Sequence, residues 1–285
     1  MSYRSKWLYF FLVGPILFMI LYSVIISIAV AAGYSLYADN YNSHMGVVTM
    51  IEGAVGIGVM TVVLLIKRYM IWPRPRWAVG KPYDWAFALL GSMAMLGVSI
   101  AYMNLVDMIK LDAVQKALEQ YTEMIEVASV SKTDLYLQFF ALVILIPILE
   151  EMIFRGVILA GMMELNRPYL AVFGSAVFFG AMHVQPIQVG YAILSGVILG
   201  LIYYYTQNLC MTILSHMVFN FFGNGMFLIF DIPDRVGTTL SWVQMGLFPC
   251  FFVAAYFMAK KRRERFPGKE AETGDFNKDL PGRHT

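Results

Sequence analysis

The sequence predicts an all-α, polytopic membrane bundle of about eight transmembrane helices, and three observations predict it. Of the 285 residues, 59% are hydrophobic and 14% are charged, where a soluble domain carries about 25% charge. A soluble fold of this size needs a polar skin that such a composition cannot supply. The apolar residues are gathered into runs of the roughly 17–25 residues that a helix needs to cross a bilayer core. Those runs are continuously apolar and lack the alternation of a lipid-facing strand. Composition also excludes other classes. A formal net charge of +2 is no electrostatic footprint for nucleic acid. Cys210 and Cys250 both lie in apolar runs, so neither a disulfide framework nor a thiolate metal site is available.

The eight runs are 7–33, 45–66, 84–106, 135–163, 169–186, 188–206, 208–230 and 238–259. The first is too long for a signal-peptide core and reads as a retained anchor. The fourth is long enough to tilt or to project from the membrane. The fifth to seventh have very short links, which predicts consecutive antiparallel hairpins. Between the third and fourth, residues 107–132 carry Leu111, Val114, Leu118, Tyr121 and Ile125 at three- and four-residue spacing, the pattern of an amphipathic surface helix. Eight spans put both termini on one side. Sixteen Lys and Arg flank that side, eight of them in the tail from Lys260, against Lys110, Lys116, Lys132 and Arg235 on the other. Both termini are therefore expected in the cytoplasm. The tail opens with KKRRER, a stop-transfer cluster suited to lipid contact, and is expected to continue disordered. Three units follow: 1–133, N-terminal helices with the amphipathic connection; 134–230, the core; and 231–285, the last helix and basic tail.

A charge at mid-bilayer costs about 2.5–3.5 kcal/mol on insertion scales, so each one is a functional candidate. Away from the run ends stand Glu52, Glu150, Glu151, Arg155, His183 and His216, and all but Glu52 fall between 135 and 230. In LVILIPILEEMIFRGVIL, Pro147 cannot donate to the carbonyl one turn back, which bends the helix just before Glu150. Glu151 and Arg155 stand four apart in the favourable order for a helical ion pair, leaving Glu150 as the unpaired carboxylate and a candidate base. Phe179 and His183 share a face, so the ring would restrict the imidazole. His216 and Asn220 share another face and can both donate to one oxygen. Glu150, His183, His216 and Asn220 would converge from three helices as a base, a partner imidazole and oxyanion donors, the parts for attack of activated water on a carbonyl.

Structural readings stand beside these. Glu151–Arg155 can be a buried pair that fixes packing, a lone intramembrane His is often an interhelical donor, and the Gly196–Gly200 pair more often brings helices together than binds anything. Glu52 has no identifiable partner and reads as structural or interfacial. No HExxH is present. Glu150, His183 and His216 could form a two-His, one-carboxylate zinc site, whereas an unmetallated Glu–His pair requires no cofactor.

EEMIFR at 150–155 fits EExxxR, FGAMH at 179–183 fits FxxxH, and HMVFN at 216–220 fits HxxxN. In order and spacing these three motifs resemble the CPBP family of intramembrane proteases, the CAAX protease and bacteriocin-processing (Abi) proteins, over roughly 134–230. The resemblance implies an eight-helix intramembrane endopeptidase with its active site in a cavity open toward the cytoplasm. Glu150 would activate the water with help from His183, His216 and Asn220 would stabilise the oxyanion, and Glu151 and Arg155 would support the site. The expected partners are a membrane-associated peptide or protein substrate and the lipid bilayer. No cofactor is required on this reading, with zinc the alternative. The compact chain looks more like a prokaryotic peptide-processing relative than a remover of prenylated tails. The alternative function is a non-catalytic membrane adaptor or bacteriocin-immunity protein that keeps the same polar core. A proton-coupled transporter is weakened by the lack of an internal repeat. On these spans His183 lies about 21 Å from the start of its helix, nearer the outer side than Glu150 and His216. The fifth helix is therefore expected to begin later or to tilt.

Overall fold

The computed structural model describes residues 3–37, 44–66, 80–126 and 131–265. Among them every regular element is helical, and the nine continuous helices are α1 (Ser5–Tyr37), α2 (Met45–Ile66), α3 (Pro82–Met108), α4 (Asp112–Glu126), α5 (Lys132–Leu165), α6 (Pro168–Ala181), α7 (Pro186–Thr206), α8 (Leu209–Ile229) and α9 (Asp234–Arg265). Seven are long and apolar enough to cross a membrane, and the chain is a multi-pass helical bundle. Helix α4 is the expected amphipathic connection, packed on α3 and α7.

The fifth expected span, 169–186, is corrected. Helix α6 has 14 residues, about 21 Å of rise in a hydrocarbon core of about 30 Å. It stops because the chain leaves helical geometry after Met182, Val184 takes a φ of 56°, and Pro186 opens the next helix, where its missing N–H costs nothing. His183 therefore lies in a break between two helices, so the expectation that its helix begins later or tilts gives way to a short helix.

The start of α1 and the end of α9 lie at one end of the bundle. In α1 the Phe11 ring rests on Gly174 of α6, whose Tyr169 meets Tyr204 of α7 with ring centroids 5.7 Å apart. In α9 the Arg262 guanidinium stacks over the same Tyr204 ring at 4.1 Å, and its Nε donates to the Tyr204 carbonyl at 3.1 Å. Arg262 is 7% exposed, so this member of the basic cluster is a protein contact and not a lipid one. Residues beyond 265, including the expected disordered tail, lie outside the described residues.

Close backbone approach holds the bundle together. Gly196 and Gly200 of α7 lie against Ala176 and Val172 of α6, and Gly46 of α2 lies against the Asp134 backbone of α5. Small residues at such crossings let dispersion act between helices where lipid supplies no hydrophobic drive. Among the described residues four π-helical turns interrupt the helices: Leu8–Val13 in α1, Ala141–Leu145 and Phe154–Leu159 in α5, and Phe221–Gly225 in α8. Three of them flank the polar residues of the core, a placement often seen at functional sites.

Candidate active site

The site begins with a backbone defect in α5. In the first π turn Ile146 N–H donates to Ala141 O, five residues back. The next residue, Pro147, has no N–H to give, so neither of the usual intrahelical donors reaches the Leu142 carbonyl. Asn220 of α8 fills that role, its Nδ2 donating to Leu142 O at 2.8 Å. The proline thus widens α5 and ties α8 to it. One amide hydrogen of Asn220 is occupied, and its second hydrogen and its oxygen remain for other partners.

Two turns on, Glu150 and Glu151 diverge around the helix. Glu151 is 0% exposed and meets Arg155 Nη1 at 2.7 Å. Arg155, also fully buried, donates from Nη2 to the Gly196 carbonyl at 3.1 Å and stacks over the Phe179 ring at 4.6 Å. His216 extends the chain of contacts. Its Nδ1 lies 2.9 Å from Glu151 Oε1, and its Nε2 lies 3.6 Å from Glu150 Oε2. Because a carboxylate oxygen accepts, Nδ1 carries the hydrogen and Nε2 faces Glu150. The order Arg155–Glu151–His216–Glu150 resembles the oriented imidazole of a catalytic triad, with Glu151 as the orienting carboxylate.

Phe179 is the spacer. Its ring stands edge-on to His183 at 4.9 Å and to His216 at 5.8 Å. Its own carbonyl accepts from His183 Nδ1 at 2.9 Å. That bond leaves His183 Nε2 as the acceptor of the neutral ring.

A cavity of about 310 Å³ joins these groups, and its lining includes Glu150, His183, His216 and Asn220. All four candidate residues of the three motifs share one space, from α5, the turn after α6, and α8. Glu151 and Arg155 stand behind it. Glu52, read as lacking a partner, also lines the cavity with Thr49, and both belong to α2. Tyr22 of α1 donates its hydroxyl to Glu150 Oε1 at 3.3 Å and interacts with Glu52 as well. The burial cost of Glu52 marked it as a candidate. For Tyr22 the sequence held no signal, because a tyrosine in an apolar run is ordinary.

Among the described residues no three His, Cys, Asp or Glu side chains are grouped so as to hold a metal ion. Both imidazoles donate from Nδ1, His216 to Glu151 and His183 to the Phe179 carbonyl, which leaves each Nε2 lone pair available.

Residues 132–222 match the family of type II CAAX prenyl endopeptidases described as Rce1-like. Over those residues the chain is similar to that family. The match agrees with the CPBP resemblance read from the three motifs and takes in Glu150, Glu151, Arg155, Phe179, His183, His216 and Asn220. No curated protein and no solved structure matches the chain.

Proposed function

We propose that the protein is an intramembrane endopeptidase that hydrolyses a peptide bond by glutamate-activated water. One observation carries the proposal: Glu150 borders a cavity inside the membrane-spanning bundle together with two imidazoles and an amide, while its neighbour Glu151 is consumed by Arg155 and His216. Buried polar groups are expensive in hydrocarbon and are retained where they act.

In this mechanism Glu150 takes a proton from a water in the cavity as the oxygen attacks the scissile carbonyl. His216, oriented through Glu151, packs its ring edge against Glu150, with Nε2 3.6 Å from Oε2, and so limits the positions that carboxylate can take. His183 Nε2 accepts a hydrogen bond from the same water. The tetrahedral oxyanion receives the second amide hydrogen of Asn220, and Glu150 returns the proton to the leaving nitrogen as the C–N bond breaks. This division departs from the family pattern at one point, with His216 working beside Glu150 more than at the oxyanion. The reading needs no cofactor, its substrate is a membrane-associated peptide or protein, and the Lys and Arg distribution supports cytoplasmic termini.

The test compares peptides released by cells carrying the wild type and Glu150→Gln at matched membrane abundance, by mass spectrometry. Peptides seen only with the wild type would support the proposal and locate the bond cut. Identical peptides, with the mutant still rescuing a deletion phenotype, would reject the enzyme in favour of an adaptor.

A further inference from the structure

We infer that the cavity opens on the face of the bundle opposite the chain termini, outside the cytoplasm, and that its substrate is a peptide segment presented on the extracytoplasmic side. This rests on the proteolytic reading and adds to it the side of entry and the class of substrate.

The walls of the cavity come from one half of the bundle. Thr49 and Glu52 lie in the first third of α2, Leu142 in the first third of α5, and Gln188 and Tyr191 in the first two turns of α7. Each of those stretches begins at the end away from Phe11, Tyr204 and Arg262, the contacts that mark where the termini lie. The surface helix α4 borders the same end, where the Tyr121 hydroxyl meets the Tyr191 hydroxyl at 3.0 Å. From Tyr191 to Tyr204 is about 20 Å along α7.

The opposite route is closed. Below His216 and Leu199 on the cavity floor, Phe154, Arg155, Ile158, Ile202, Leu209 and Met211 are all 0% exposed. Native packing of this kind leaves no passage for a peptide from the terminal end.

The resemblance implies a cavity open to the cytoplasm, and the charge distribution predicts cytoplasmic termini. On this fold both cannot hold, because mouth and termini lie at opposite ends. Sixteen Lys and Arg against four is a strong orientation signal, so the mouth faces outward. A cytoplasmic prenylated C-terminus could not reach Glu150, whereas an exported peptide or the outer end of a membrane segment could.

The test is thiol accessibility in the full-length protein with Cys210→Ser and Cys250→Ser as background. Gln188→Cys and Thr49→Cys report on the mouth, and Lys261→Cys, an exposed site on α9, reports on the terminal end. A membrane-impermeant maleimide applied to intact cells should label the first two as fully as it does after permeabilisation, and should label Lys261→Cys only after permeabilisation. Labelling of the mouth cysteines only after permeabilisation would overturn the inference. So would labelling of all three from one side, or no labelling of the mouth cysteines in either condition. Two mouth positions guard against one variant failing to fold. Peptide release is read separately, so loss of the protease reading would leave the access face standing, and the converse also holds.

Discussion

From Phe154 to Met162, α5 is buried on every side, whereas from Leu142 to Glu150 the same helix borders a cavity of about 310 Å³. The dense half contains polar groups too, but Arg155 and Glu151 are paired there. In the hollow half Glu150, Glu52, His183 and Asn220 face shared space. One helix thus separates support from chemistry. Successive glutamates point about 100° apart, and the boundary between packing and cavity passes between them.

The largest expected effect is in the dense half. Arg155→Met leaves the Glu151 carboxylate without its cation at zero exposure, and breaking such a pair costs about 3–5 kcal/mol. Thermal unfolding in detergent should show a large drop in Tm and membrane abundance should fall. An unchanged Tm would mean that the dense half does not depend on the pair. Next comes the α6–α7 crossing. A Cβ at Gly200 would lie 2.9 Å from Val172 Cγ1, whereas one at Gly58 meets nothing within 4 Å. Gly200→Ala should therefore destabilise by about 1–3 kcal/mol, the usual range for overpacking, while Gly58→Ala leaves Tm unchanged. Equal effects would erase the contrast between packed and open helix faces.

At the boundary, Asn220→Ala leaves the Leu142 carbonyl without its donor. The expected loss is about 1–3 kcal/mol, together with a fall in peptide release greater than the fall in abundance. A proportional fall in both would make Asn220 a strut only. The smallest effect belongs to Tyr22→Phe, which removes the hydroxyl that bonds Glu150 at 3.3 Å and also meets Glu52, a loss of about 0.5–1.5 kcal/mol. It should change the rate of peptide release severalfold with Tm nearly unchanged, and no rate change would remove Tyr22 from the site.

Local periodicity and motif order made much of this legible. Glu151–Arg155 and Phe179–His183 are four-residue helical neighbours, so the i,i+4 rule was enough to foresee their contact. The apolar runs likewise gave the long helices. The Glu151–His216 and Tyr22–Glu150 contacts were not legible, since they join residues 65 and 128 positions apart whose meeting depends on helix rotation. The π turn before Pro147 moved the orphaned carbonyl to Leu142, a register that periodicity cannot reveal. Helix α6 was overestimated because Met182, Val184 and Pro186 keep the run apolar or neutral through a turn that only backbone geometry exposes.

The most direct test of the central claim sets Glu150→Gln beside Glu151→Gln, measuring peptide release and thermal unfolding on both. The account predicts that Glu150→Gln loses about 10²–10⁴-fold in peptide release, the usual worth of a general base, at near-normal Tm, while Glu151→Gln lowers Tm sharply. Undiminished release from Glu150→Gln at matched abundance would contradict it.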